Sequence, residues 1–168
     1  AQSLKWKNIE WYEGEDRKLY LQLTVSGKTG TRQLIARHNC VTYLTRLKNR
    51  FADLKELSLT EIFKLKLDEP VFCLKDKTVT NNLHQTFEKF LEEHELLYGS
   101  TSDKKRTLYS LRHFYATYRL YKGANIHQLA VQMGTSVTML EKHYSKLTPM
   151  LMADEFAGRN YIERESKD

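Results

Sequence analysis

The chain of 168 residues is long enough for one domain with a substantial core, and its 40% hydrophobic and 29% charged residues are those of an ordinary soluble globular fold. No run of ~18 apolar residues is present to span a membrane. Ala1–Trp6 has no signal-peptide pattern, and two distant cysteines, Cys40 and Cys73, suggest neither a zinc site nor a disulfide framework and fit a cytoplasmic location. A net charge of +6 and a pI near 9.2 point to polyanionic partners, nucleic acid first, with a merely basic solvated surface as the bland alternative.

Residues 4–36 read as β structure. Trp6, Ile9 and Trp11 predict a first strand. Leu19, Leu21, Leu23 and Val25 alternate with Tyr20, Gln22 and Thr24, the period of a half-buried strand. Ser26-Gly27-Lys28-Thr29-Gly30 is a turn, and Thr31–Ala36 returns as the partner, giving a small three-stranded antiparallel sheet. Gly27-Lys28-Thr29 also echoes the end of a phosphate-binding loop. That motif needs a glycine where Gln22 stands, so the reading fails.

Val41, Leu44 and Leu47 predict a helix over Asn39–Asn49, and residues 50–67 a second helical or irregular layer. Val71–Leu74 after Pro70 reads as a brief strand. Thr80–Leu97 reads as a helix with Leu83, Phe87, Phe90 and Leu91 facing the core, and Tyr98–Arg106 as a polar loop. The basic end of that loop, Lys104-Lys105-Arg106, is a candidate for phosphate-backbone contact, as is Arg32 on the returning strand.

Residues 107–144 predict three short helices with tight joints. Leu111, Phe114, Tyr115 and Tyr118 share one helical face. Asn125 is placed to cap a second helix whose Ile126, Leu129, Ala130 and Met133 repeat the spacing. Gly134 sits where a helix-ending glycine would, and Ser136 can cap a third helix bearing Val137, Leu140 and Tyr144 on one face. Arg112, His113, Arg119 and His143 fit no apolar face.

These polar residues fall into boxes. Tyr109-Ser110-Leu111-Arg112-His113 resembles the His-x-Leu-Arg-His box of the tyrosine recombinase (phage integrase) family. Met133-Gly134-Thr135-Ser136 resembles its Leu-Gly-His-Ser box, and Tyr144 in Lys142-His143-Tyr144-Ser145 lies where the family keeps its nucleophile. Order and separation of the boxes match the family. The resemblance implies an α+β catalytic domain, mainly helical with a small antiparallel sheet, covering residues 1–168 with a C-terminal tail from about 150. It implies site-specific recombination of double-stranded DNA without a cofactor or metal. By the same alignment the family's first catalytic arginine and its DNA-gripping helical domain fall ahead of Ala1. The chain alone is therefore expected to be poorly active.

The chemistry of strand exchange fits those residue types. A phenol is a nucleophile once deprotonated and a fair leaving group afterwards. Fixed cations must meet the charge that grows on the phosphate oxygens, and arginine grips phosphate at two points. The resemblance makes Tyr144 the nucleophile of a 3′-phosphotyrosyl link, Arg112 the phosphate clamp, Lys28 the acid that protonates the departing 5′-oxygen, and His113 a supporting residue. Tyr109 and Thr135 depart from the family: each can hydrogen-bond a phosphate, but neither replaces imidazole as a base at neutral pH. The apolar tail, Met150-Leu151-Met152 and Phe156, is expected to pack on a neighbouring subunit, supporting self-assembly on DNA, or on its own domain. The competing readings are a helix-turn-helix regulator with residues 136–145 as recognition helix, and a recombinase-like domain that binds DNA without chemistry.

Overall fold

The computed structural model describes residues 3–27, 30–80, 82–99, 102–144 and 157. It is a mixed α+β structure that divides into two compact units, Ala1–Thr86 and Phe87–Asp168.

The first unit is built on the expected antiparallel meander. Strands β1 (Ile9–Glu13), β2 (Leu19–Gly27) and β3 (Gly30–Ile35) pair in the order β1-β2-β3. The register sets Ile9 opposite Leu23 and Trp11 opposite Leu21, so the apolar residues of both strands share the core face. Gly27 pairs with Gly30 across residues 28 and 29. Trp6 lies outside the strand, in a 3-10 turn over Trp6–Asn8, because this stretch pairs elsewhere. The Trp6 backbone N–H donates to the Glu69 carbonyl (3.0 Å), and the Val71 N–H donates to the Leu4 carbonyl (2.9 Å).

Three helices share the core with the sheet: α1 (Cys40–Lys48), α2 (Ala52–Lys55) and α3 (Leu59–Leu65), of which α3 packs on β1. α3 begins at a capping box. Ser58 Oγ accepts from the Glu61 N–H (3.2 Å) and Glu61 Oε2 accepts from the Ser58 N–H (2.7 Å). Trp6, Ile9, Leu21, Leu44, Phe51, Leu54, Ile62, Phe63 and Val71 form one buried cluster. Replacing Trp6, 1% exposed, with Ala is expected to cost about 3–5 kcal/mol in urea unfolding followed through Trp11 fluorescence, against less than about 0.5 kcal/mol for Leu65→Ala at an exposed position.

Several carboxylates of this unit are held below their ordinary pKa: Glu10 by Lys66, Asp53 by Lys77, Asp68 by Lys7 and Lys5, and Glu61 by the Ser58 hydroxyl and N–H. The folded state therefore binds these protons less tightly than the unfolded chain. Their contribution is present above the ordinary carboxylate range of about 4 and lost as pH falls through the lower folded values. The urea midpoint is expected to drop between pH 6 and pH 3. A midpoint unchanged over that interval would rule out a role for these pairs.

Three expectations need correction. Val71–Leu74 is not a strand. Pro70 makes a single bridge with Lys5, Pro70 has no N–H to continue the ladder, and the chain turns back at Lys77, where the Leu74 N–H donates to the Thr78 carbonyl (2.9 Å). The helix expected over residues 80–97 is α4 (Leu83–Glu93), shorter at both ends. Its C-terminal end is set by Glu95, which takes the left-handed conformation (φ 54°) that glycine usually supplies, while the Leu96 N–H reaches back to the Leu91 carbonyl (2.7 Å). Of its expected core residues Leu91 is buried, but Leu83 and Phe90 are exposed. Residues 98–106 are not wholly a loop: β4 (Tyr98–Gly99) and β5 (Ser102–Lys105) form a short hairpin.

Candidate functional site

The boxed residues lie in the second unit, on α5 (Leu108–Tyr121), α6 (Ile126–Met133) and α7 (Val137–Tyr144). Local signals set every joint. At the start of α5 the Thr107 N–H donates to Ser110 Oγ (3.0 Å). α5 ends at Gly123 (φ 77°), with the Ala124 N–H returning to the Arg119 carbonyl (2.9 Å). Asn125 Oδ1 then accepts from the N–H groups of His127 (3.0 Å) and Gln128 (3.2 Å), which starts α6. Gly134 (φ 61°) ends α6 in the same way, with the Thr135 N–H on the Ala130 carbonyl (3.0 Å), and Ser136 Oγ accepts from the Met139 N–H (3.2 Å) to begin α7.

The core of this unit is Ala116, Leu129, Ala130, Met133 and Leu140, with Tyr115, Leu120, Ile126 and Val137 packed around it. α7 packs against both α5 and α6. The faces expected for α6 and α7 are the buried ones at Leu129, Ala130, Met133 and Leu140. The face expected for α5 is buried only in part: Tyr115 packs on this core, but Leu111 and Phe114 are 54% and 69% exposed, and the fully buried residue of the helix is Ala116. A small side chain admits the close approach of neighbouring helices, so the contact is centred on alanine. The larger ring of Phe114 is left outside, stacked on Tyr118 with centroids 6.0 Å apart.

Arg112 lies one turn before Ala116 on the same side of α5 and is half-buried. Its Nη2 donates to the Met133 carbonyl at 2.8 Å. The Met133 carbonyl is among the last of α6, where the helix runs out of its own N–H donors. The guanidinium thus ties the Tyr-Ser-Leu-Arg-His stretch to the Met-Gly-Thr-Ser stretch, 21 residues away in sequence. Thr135 follows at once and is half-buried. His113 meets the exposed ring of Tyr109 edge-on, with centroids 4.8 Å apart. The link between Arg112 and Met133 was not legible in the sequence. Gly134 was the one signal for it, since a glycine-ended helix leaves terminal carbonyls in want of donors.

Tyr144 is the last residue of α7. Its side chain and that of His143, and the whole of Lys28, lie outside the described residues, as does the tail from residue 145 save Ala157. Two of the other proposed backbone contacts are engaged within the unit. Lys105 is paired with Glu88, which raises the pKa of its ammonium, and Arg106 Nη1 donates to the Leu96 carbonyl at 2.6 Å. Lys104 is exposed on β5, and Arg32 lies half-buried in the first unit, lining a cavity of about 500 Å³ beside Gly27, Leu34 and Phe72.

Among the described residues no three His, Cys, Asp or Glu side chains are grouped to hold a metal ion, and no helix is long and apolar enough to cross a membrane. Comparison with protein-family models, curated proteins and solved structures finds no match.

Proposed function

We propose that this chain is the greater part of a strand-exchange catalytic domain of the tyrosine recombinase type, acting on double-stranded DNA. The observation that carries the reading is the bond from Arg112 to the Met133 carbonyl. A chance pair of family-like boxes has no reason to touch, yet this bond holds one box against the other. It also fixes a guanidinium before any ligand arrives, which is what stabilisation of a charged transition state requires.

In this reading the Tyr144 phenolate attacks a backbone phosphorus. A bond forms between the phenolic oxygen and phosphorus, and the bond from phosphorus to the 5′-oxygen breaks. Arg112 meets the charge on the non-bridging oxygens, and Lys28 gives a proton to the departing 5′-oxygen. The reverse attack by a 5′-hydroxyl releases the tyrosine and joins a new strand. Thr135 and Tyr109 serve as hydrogen-bond donors, and His113 supports Arg112 from the same helix.

The test is a duplex nicked beside the scissile phosphate, so that the departing fragment diffuses away. It is offered to the chain joined to the arginine-bearing segment that the resemblance places ahead of Ala1. A protein–DNA adduct that survives denaturant is the expected result. A second reading has its own support: the three-residue joint Gly134–Ser136 between α6 and α7 is also the connection of a helix-turn-helix. It predicts reversible binding and no adduct.

A further inference from the structure

Between Asp16 and Asp53 the sequence carries eight Lys or Arg and no Asp or Glu. That segment holds a charge of +8 in a chain whose net charge is +6, so all other residues together sum to −2. The basic character of the protein is therefore local. It belongs to residues 17–50 of the first unit, with Arg32 on β3, Arg46 and Lys48 on α1 and the others in the segments between elements, and not to the run at residues 104–106.

Within this segment α1 concentrates the exposed cations. Leu44 and Lys48 are buried on its inner side, and Lys48 is consumed there: its Nζ donates to the Lys55 carbonyl (2.7 Å) and to Asn49 Oδ1 (2.8 Å). The outer side carries Tyr43 and Arg46 at i and i+3, both exposed; Arg50 is exposed two residues past the helix end, and Arg37 and His38 are exposed just before the helix. The Arg46 guanidinium lies over the Tyr43 ring at 5.7 Å, and Arg50 lies over Phe51 at 5.9 Å. These contacts hold both guanidinium groups near the surface without neutralising them. Among the described residues neither is in an ion pair, and the nearby acids Asp53 and Glu69 are already taken by Lys77. Arg50 also opposes the rise that burial imposes on the Cys73 thiol. A helix C-terminus accounts for a favourable place for Arg46 and Lys48, but not for a segment stripped of acids.

We infer that the outer face of α1, with Tyr43, Arg46 and Arg50 and the adjoining Arg37 and His38, is a docking surface for the phosphodiester backbone of duplex DNA. Arg46 and Arg50, four residues apart across the end of α1, can reach phosphates of one strand together, while Tyr43 offers a hydroxyl to the same backbone. The choice of duplex DNA rests on the proposed function; the location rests on charge alone.

The experiment compares duplex affinity of the chain, over a range of salt, with that of Arg46→Gln/Arg50→Gln and of a charge-matched control, Lys75→Gln/Lys89→Gln. The circular dichroism spectrum of each confirms folding. A single Arg46→Gln variant is included because Arg50 also packs on Phe51. Loss of two phosphate contacts is expected to flatten the log–log salt slope by about 1.8 and weaken binding about 30-fold at 0.15 M salt, with about half that slope change for Arg46→Gln and less than ~3-fold loss for the control. Equal losses in both double variants, no loss in either, stronger binding to single-stranded nucleic acid or RNA than to duplex, or no duplex binding would each overturn the surface. The strand-exchange reading stands or falls separately, on the covalent adduct.

Discussion

Replacing Tyr144 with Phe is expected to abolish the denaturant-resistant adduct with a nicked duplex while leaving reversible duplex binding unchanged. Phenylalanine keeps the ring and removes only the hydroxyl that would attack phosphorus, so α7 keeps its shape and the chemistry loses its nucleophile. The position makes this a sharp test, because Tyr144 closes α7, which packs on α5, the helix of Arg112, and on α6, which Thr135 follows. An adduct of undiminished yield in the Phe variant would mean that another side chain attacks. Duplex binding without an adduct in either protein would favour the two non-catalytic readings, the helix-turn-helix regulator and the recombinase-like domain that binds without chemistry. Thr135 and Tyr109 would then be marks of a site that binds and does not cut.

Arg112→Met is expected to act twice. It removes the donor to the Met133 carbonyl in a half-buried setting, at a cost of about 1–3 kcal/mol in stability. It also removes a cation from the transition state, at a cost of about 10²–10³ in the rate of adduct formation. The two effects separate in Arg112→Lys. An ammonium can still bond the carbonyl but cannot grip a phosphate as a planar fork does. Stability is expected to recover in the lysine variant and the rate to stay low. A rate that recovers along with stability would reduce Arg112 to a clamp on the end of α6. Thermal unfolding and single-turnover adduct formation on the same three proteins decide it.

Both experiments turn on features of unequal visibility in the sequence. Asn125, Gly134 and Ser136 could be read as helix punctuation because capping is a matter between residues two to five apart, and the structure has each in that role. The β2–β3 hairpin was legible for the same reason, since alternation and a two-glycine turn lie within one stretch of chain. Glu95 shows the limit: it ends α4 in a conformation for which the sequence carries no glycine.

The sequence by itself determined the three-stranded meander and the joints of the helical unit, since each follows from neighbours along the chain. Tertiary structure alone decided which side of α5 faces inward, because close helix approach favours Ala116 over the larger and more hydrophobic Leu111 and Phe114. It alone decided that Lys105 and Arg106 are spent on Glu88 and the Leu96 carbonyl. And it alone joined Arg112 to Met133. In each case the deciding partner is distant in sequence or lies on another element, where no periodicity or local propensity reaches.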